Sequence, residues 1–216
     1  MANSNWQGRT WLFFDMGSTL VDDSAAYMGW FQNASQAIGG ALSANEIAAG
    51  YAAGMARGKA TVTGQLKQHG YTGDSSAHMY PSRLDAPYPE AKPVLEQLAK
   101  TYKLGIIANQ NPGAEQRLVE YGIRDYFQVV IASAEAGVEK PDLQIFRLAL
   151  AQAGCQPQQA VMIGDRLDND IFPAKAMGFA TVRIWQGYAK HQEVVSPDYE
   201  PDVTVENLTQ LLDILG

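Results

Sequence analysis

The stretch Thr10-Trp11-Leu12-Phe13-Phe14-Asp15-Met16-Gly17-Ser18-Thr19-Leu20 runs apolar without a break from Trp11 to Phe14 and then stops at an aspartate. A short run that is apolar at every position, rather than at alternate ones, is the pattern of a strand covered on both faces. Residues 104–108, 129–132, 160–163 and 181–184 read the same way, with 202–205 as a weaker sixth strand. Helical patterns separate these runs. Residues 89–100 carry Val94, Leu95 and Leu98; 112–121 lead to Gly122; 141–153 carry Ile145, Phe146, Leu148 and Ala149. Pro141 suits the first turn of its helix and Gly154 the end. Strands alternating with helices predict an α/β fold, a Rossmann-like parallel sheet with right-handed crossovers.

Residues 24–86 break this rhythm and hold no convincing strand. Ser43-Ala44-Asn45-Glu46 is a capping box, and it opens a helix with Ile47, Ala48, Tyr51, Ala52 and Met55 on one face. A second helix is expected over 27–38, where Tyr27, Trp30 and Phe31 read as a packed face rather than as site residues. The turn-rich 81–89, including Pro87-Tyr88-Pro89, reads as the return hinge. The expected organisation is a core of 1–23 and 87–216 with a helical insertion at 24–86. Trp6 and Trp11 are expected to pack around the first strand.

At 46% hydrophobic and 18% charged, a chain of 216 residues has the composition of a globular protein with a sizeable core. Its net charge of −7 argues against a nucleic-acid partner, which needs a basic face. It leaves an anionic substrate open, because a metal ion inverts the local field. The single cysteine, Cys155, permits no internal disulfide and fits a reducing compartment. It follows Gly154 at a helix end without the charged neighbours that activate a thiol. His69, His78 and His191 have no ligand spacing. The first residues lack a leader pattern, and no apolar run approaches the ~20 residues of a membrane span. A cytoplasmic protein without membrane contact is the expectation. None of these patterns bears on oligomeric state.

Ligands of an open parallel sheet sit beyond the carboxyl ends of its strands. Asp15 follows the first strand, and Ala108-Asn109 closes the second. Lys140 lies after the third, just before a helix. Asp165 ends the fourth, with Asp168 and Asp170 close behind. A carboxylate, a lysine and an acidic cluster are therefore expected on one edge. Asp168 reads as a cap rather than as part of the site.

The run from Phe13 to Leu20 resembles the first motif of the haloacid-dehalogenase superfamily, DxDGTL. Gly137-Val138-Glu139-Lys140-Pro141-Asp142 resembles its lysine motif. Val161-Met162-Ile163-Gly164-Asp165-Arg166-Leu167-Asp168-Asn169-Asp170 is similar to its acidic GDxxxxD motif, continued by Ala174-Lys175-Ala176-Met177-Gly178. Order and spacing agree from Thr10 to about Trp185, and the insertion at 24–86 is similar to the family's small α-helical cap. The resemblance implies a Mg2+-dependent hydrolase, a phosphatase acting on a small phosphorylated metabolite. Asp15 would be the nucleophile, forming an aspartyl-phosphate that water hydrolyses. Mg2+ would bind Asp15, Asp165 and the Gly17 carbonyl, with Asp170 in support. Lys140 would neutralise the phosphoryl group and the nucleophile, and positions 108 and 109 would meet the substrate phosphate.

Two positions depart from the family pattern. Gly17 stands where the family has its general acid and base, and Ala108 where it has a phosphate-binding Ser or Thr. General acid–base catalysis contributes ~10²–10⁴-fold, and a lost oxyanion-type donor costs ~10²–10³-fold. Three compensations stay open: Asp22 or Asp23 as proton donor, Asn109 in place of the hydroxyl, or a leaving group that needs no proton. Two other functions stand beside the phosphatase. One is a catalytically impaired binding or regulatory protein. The other is a metal-free 2-haloacid dehalogenase, against which Asp165 and Asp170 argue by repelling a substrate carboxylate.

Overall fold

The computed structural model describes residues 6–56, 62–73 and 80–216; His78 lies outside them. In chain order it forms β1 (Trp11–Phe14), β2 (Val21–Asp22), α1 (Ser24–Ala37), α2 (Ala44–Ala56), α3 (Val62–Gln68), β3 (Ala86–Pro87) and α4 (Ala91–Leu98). Then follow β4 (Lys103–Ala108), α5 (Ala114–Glu120), β5 (Phe127–Ala132), α6 (Ser133–Ala136), α7 (Leu143–Ala153), β6 (Ala160–Gly164), α8 (Phe172–Met177), β7 (Ala180–Ile184), β8 (Val203–Val205) and α9 (Leu211–Leu215). Among the described residues the main sheet has six strands in the order β5-β4-β1-β6-β7-β8. Every pair in it is parallel. The run at 202–205 does join the sheet, as the edge strand β8.

Both faces of the sheet are covered, which is why the strands read as continuous apolar runs. Side chains along a strand point alternately to opposite faces. Leu12 and Phe14 of β1, Ile106 of β4 and Val161 and Ile163 of β6 enter one core with α4, α5 and α9. Trp11, Phe13, Ile107 and Met162 enter the other, with Ile145, Phe146 and Ala149 of α7 and Ala174 of α8. Trp11 stacks on Phe13 at 5.4 Å between ring centroids. Trp6 is buried in the first core.

Helix α7 corrects one expectation. It begins at Leu143, and Asp142 is its N-cap, the carboxylate accepting from the Gln144 amide at 2.8 Å. Pro141 therefore precedes the helix instead of occupying its first turn. The aspartate satisfies an orphan amide that the proline ring cannot. At the other end Gly154 takes a left-handed conformation, as expected.

Helices α1, α2 and α3 fill the interval between β2 and β3. The capping box at α2 forms, with the Glu46 carboxylate accepting from the Ser43 amide at 2.8 Å and Ser43 Oγ accepting from the Glu46 amide at 3.3 Å. Phe31, Ile47, Tyr51, Met55 and Leu66 make a third core, which Ala189 joins from the turn after β7. At the base of this segment β2 and β3 pair antiparallel, Val21 opposite Pro87 and Asp22 opposite Ala86. This pairing had no sequence signal, because two-residue strands show no period. Among the described residues no helix is long and apolar enough to cross a membrane.

Gly105 is a close-approach position at the sheet centre. It lies opposite Phe13 in the β1–β4 register, and a Cβ there would fall 2.7 Å from two carbons of the Phe13 ring. The ring cannot easily yield, since Trp11 stacks on it and Phe179 meets it edge-on. Gly105→Ala is expected to destabilise the protein by about 1–3 kcal/mol, the usual cost of overpacking. The urea unfolding midpoint measures it, and an unchanged midpoint would show that the ring is free to move.

Candidate active site

The carboxyl ends of β1, β4 and β6 are neighbours because β1 lies between the other two strands. The residues that follow them open into a cavity of about 690 Å³. The Asp15 amide continues the β1–β6 ladder by donating to the Ile163 carbonyl at 2.9 Å. The nucleophile candidate is thus anchored by the sheet, not by a loose loop.

Lys140 is buried and bridges two carboxylates. Its Nζ donates to Asp15 Oδ1 at 2.7 Å and to Asp170 Oδ1 at 2.5 Å. Burial opposes its charge most strongly, but Asp15 and Asp170 together hold the ammonium above the ordinary lysine range. Asp170 also accepts the Arg166 amide on Oδ2 at 2.9 Å, so both its oxygens are engaged. Burial pushes the Asp170 carboxyl up to about 6 against the pull of Lys140. Asp15 Oδ2, by contrast, meets no hydrogen-bond donor among the described residues, and Asp15 lines the cavity.

Asp165 completes the cluster. One carboxylate oxygen from each of Asp15, Asp165 and Asp170 lies within 4.8 Å of the other two, and all three residues are buried. No donor reaches the Asp165 carboxylate among the described residues. Burial, then repulsion from Asp170, Asp15 and Asp23, pushes this carboxyl well above the usual range. Three buried carboxylates face one ammonium, and the nearby Arg166, whose guanidinium is paired with Asp168, acts on Asp165 only as a weaker, opposing influence, so the cluster keeps an excess of negative charge. All-oxygen donors of this kind suit a hard divalent ion.

Asn109 has a task beyond the one expected. Its Nδ2 donates to the Lys140 carbonyl at 2.8 Å, and its Oδ1 accepts from the Lys140 amide at 2.7 Å. Both ends of the carboxamide clamp the backbone of Lys140. The side chain holds the lysine in place, and Asn109 also lines the cavity. Ala108 is fully buried in the core at the end of β4 and does not line the cavity. Strand alternation places its side chain in the core shared with α4, α5 and α9. Gly17 does line the cavity.

The acidic residues after the first motif differ sharply. Asp22 is exposed, and its carboxylate accepts from the Ser24 amide at 3.0 Å. Asp23 is buried on the cavity wall. Its Oδ1 accepts from the Ser18 hydroxyl at 2.7 Å. Burial, opposed by that bond and reinforced by Asp85 and Asp15, pushes the Asp23 carboxyl up to about 7.

Asp168 stays outside the cavity. It pairs with Arg166 at 2.6 Å and accepts from Gln192 at 2.8 Å, while Gln192 accepts from the Leu167 amide at 2.7 Å. These bonds brace the π-helical turn Leu167–Ile171, which carries Asp170. Sequence reasoning missed Tyr27, Arg117 and Ser133 on the cavity wall. Tyr27 also packs among Trp30, Phe31, Tyr51, Tyr80 and Tyr188. Its helical spacing signals only the packing. Ser133 directly follows β5, so its strand-end position was the available signal. His69 and His191 are exposed and away from the site.

Comparison with known proteins agrees with this arrangement. The sequence model for haloacid dehalogenase-like hydrolases matches residues 10–178. A protein of Methanopyrus kandleri named glyceraldehyde 3-phosphate phosphatase is 38% identical over 131 residues, which is 60% of this chain and 56% of that one. The Escherichia coli pyrimidine 5'-nucleotidase YjjG is 35% identical over 131 residues, again 60% of this chain and 56% of the relative. The chain thus matches little more than half the length of these relatives. A haloacid dehalogenase-like family hydrolase from Streptococcus pneumoniae shares the fold at a TM-score of 0.71 and 21% identity, over 97% of this chain and 99% of that one. With its three motifs gathered at one sheet edge and the family match spanning most of its length, this chain belongs to the haloacid dehalogenase-like hydrolases.

Proposed function

We propose that the protein is a Mg2+-dependent phosphatase that acts on a small phosphorylated metabolite through an aspartyl-phosphate on Asp15. The observation that carries the reading is the pairing of a held nucleophile with a pocket that carries an excess of negative charge. Asp15 gives one oxygen to Lys140, its other oxygen meets no donor among the described residues, and the residue lines the cavity. Beside it, Asp165 lacks any donor among the described residues. The two relatives' names differ in substrate but agree on a phosphate ester. That agreement supports the phosphate ester and leaves the rest of the substrate undefined.

Each residue then has a chemical task. Asp15, Asp165, the Gly17 carbonyl and Asp170 would hold the metal, which supplies positive charge to the phosphoryl oxygens. Lys140 orients Asp15 through its hydrogen bond, and it offers its charge to the incoming phosphoryl group. Asn109 fixes Lys140, so the ammonium needs no reorganisation as the reaction proceeds. The helical insertion, taken as residues 24–86, serves as a cap over the cavity; Tyr27 of α1 and Tyr80 already form part of its wall. A cavity closed in this way excludes bulk water from the phosphoryl group.

Two experiments test the reading. A panel of phosphate esters is expected to be hydrolysed with Mg2+ and not with EDTA. Asp15→Asn, nearly isosteric, is expected to lower the rate by roughly 10³-fold or more, as loss of a covalent nucleophile does. Activity at the wild-type rate in that variant would remove Asp15 from the mechanism, and halide release without Mg2+ would point to the dehalogenase instead. The second experiment reads stability. Mg2+ at ~100 times its Kd is expected to stabilise the wild type by about 2.7 kcal/mol. Asp165→Asn is expected to be the more stable protein without metal, because one buried like charge is gone, and to lose most of the Mg2+ effect. Equal stabilisation of both proteins by Mg2+ would exclude Asp165 as a ligand.

A further inference from the structure

Gly17 leaves a gap in the cavity wall where the family carries a carboxyl. Another residue fills that gap. A Cβ built on Gly17 would lie 2.8 Å from Asp23 Oδ2 and 3.9 Å from Asp23 Cγ. The Asp23 carboxyl therefore occupies the space that a side chain at position 17 would take. We propose that Asp23 is the general acid and base of this enzyme, its carboxyl brought from the start of α1 into the place left by Gly17.

Three features of the structure bear on this assignment. First, Asp23 sits at the N-cap of α1, where an aspartate ordinarily accepts a hydrogen bond from its own helix. It makes no such cap bond. Asp22 takes the local turn instead, through the Ser24 amide, so Asp23 is not explained as a helix cap. Second, its carboxyl is aimed by a dedicated partner. The Ser18 hydroxyl donates to Asp23 Oδ1 at 2.7 Å, which leaves Oδ2 as the oxygen next to Gly17. Ser18 makes that bond from a left-handed backbone with φ 53, a conformation unfavourable for a residue with a Cβ. Strain kept at such a place is commonly tied to function. Third, Asp23 and Asp15 line the same cavity.

The proposal rests on the phosphatase reading, and its chemistry is as follows. An Asp15 oxygen forms a bond to phosphorus while the bond from phosphorus to the ester oxygen breaks. Asp23 gives its proton to the departing oxygen, so the alcohol leaves neutral and Asp23 becomes a carboxylate. In the second step water attacks the aspartyl-phosphate. Asp23 takes one of its protons, the acyl–phosphate link breaks, and inorganic phosphate, the Asp15 carboxylate and neutral Asp23 are restored.

The test compares leaving groups within one protein, so a partly unfolded variant does not distort it. Single-turnover rates are measured for substituted phenyl phosphates, from dinitrophenyl to unsubstituted phenyl, and for the alkyl ester glycerol 3-phosphate. Asp23→Asn retains the shape and the Ser18 contact. It is expected to slow the alkyl ester by ~10²–10⁴-fold, the worth of general acid catalysis, and to slow the dinitrophenyl ester least. With that ester, dinitrophenol should also appear in a burst equal to the enzyme, because Asp15 is phosphorylated faster than it is released. The double variant Gly17→Asp, Asp23→Gly returns the carboxyl to position 17 and is expected to recover alkyl hydrolysis. Rates that fall by the same factor for every ester, or do not fall, overturn the assignment of Asp23. Wild-type protein that hydrolyses no ester, or Asp15→Asn that remains active, overturns the phosphatase reading itself, and the assignment with it.

Discussion

The buried ammonium of Lys140, held between Asp15 and Asp170, is the constraint around which the rest of the site is arranged. Removing one partner of a buried ion pair costs about 3–5 kcal/mol, because the survivor is left unpaired in a poorly solvating interior. The surroundings accordingly remove freedom from the lysine. Asn109 grips its backbone from both sides, and Asp142 starts α7 two residues later through its cap bond. The partners are fixed just as firmly. Asp15 is tied to β6 through the Ile163 carbonyl, and Asp170 lies on a turn braced by Arg166, Asp168 and Gln192. Asp165 then adds a third carboxylate that the lysine cannot neutralise. The sheet's hydrophobic cores on both faces supply the stability against which this charge excess is maintained.

The sequence revealed the strands and the four charged residues for a common reason. A central parallel strand is apolar at every position, so its end is sharply marked, and a charged residue just past the end lies on the ligand-binding edge. Asp15 and Asp165 follow or end such runs, while Lys140 and Asp170 lie in the loops beyond. Other parts were illegible because distinct structures share one local pattern. Asp22 and Asp23 are adjacent aspartates before a helix, and both look like caps. Only the three-dimensional path of the Ser18 turn shows which one turns inward. Pro141 and Asp142 both suit a helix start, and the hydrogen bond to the Gln144 amide decides between them. Asn109 had a legible location, but its clamp on Lys140 was not legible, since that bonding partner lies 31 residues away. Tyr27 reads as packing by its helical spacing, and it is packing, but one side of the same residue faces the cavity.

The helical segment and the sheet meet at the residues that complete the site. Tyr188 and Ala189, from the turn after β7, pack into the core formed by α1, α2 and α3. Tyr27 and Tyr188 rings stand 5.0 Å apart. The β2–β3 pair closes the base of the segment beside Asp22 and Asp23. The cavity is therefore bounded by the strand ends on one side and by aromatic side chains of the inserted helices on the other.

This division gives the placement of Asp23 a consequence that a carboxyl at position 17 would not have. Position 17 follows β1 by three residues and moves with the sheet. Asp23 is the residue from which α1 departs, so its backbone sits at the boundary between β2 and the helices. Among the described residues, its side chain is tethered to the core loop through the Ser18 hydroxyl. A displacement of α1 relative to the sheet shifts the Asp23 carboxyl relative to Asp15 and leaves Lys140, Asp165 and Asp170 where they are. The groups that hold the phosphoryl charge are thus carried by the sheet and the turns at its strand ends. The group that handles the proton sits at its junction with the helices. In such an arrangement proton transfer depends on the position of the inserted helices, whereas nucleophile orientation does not.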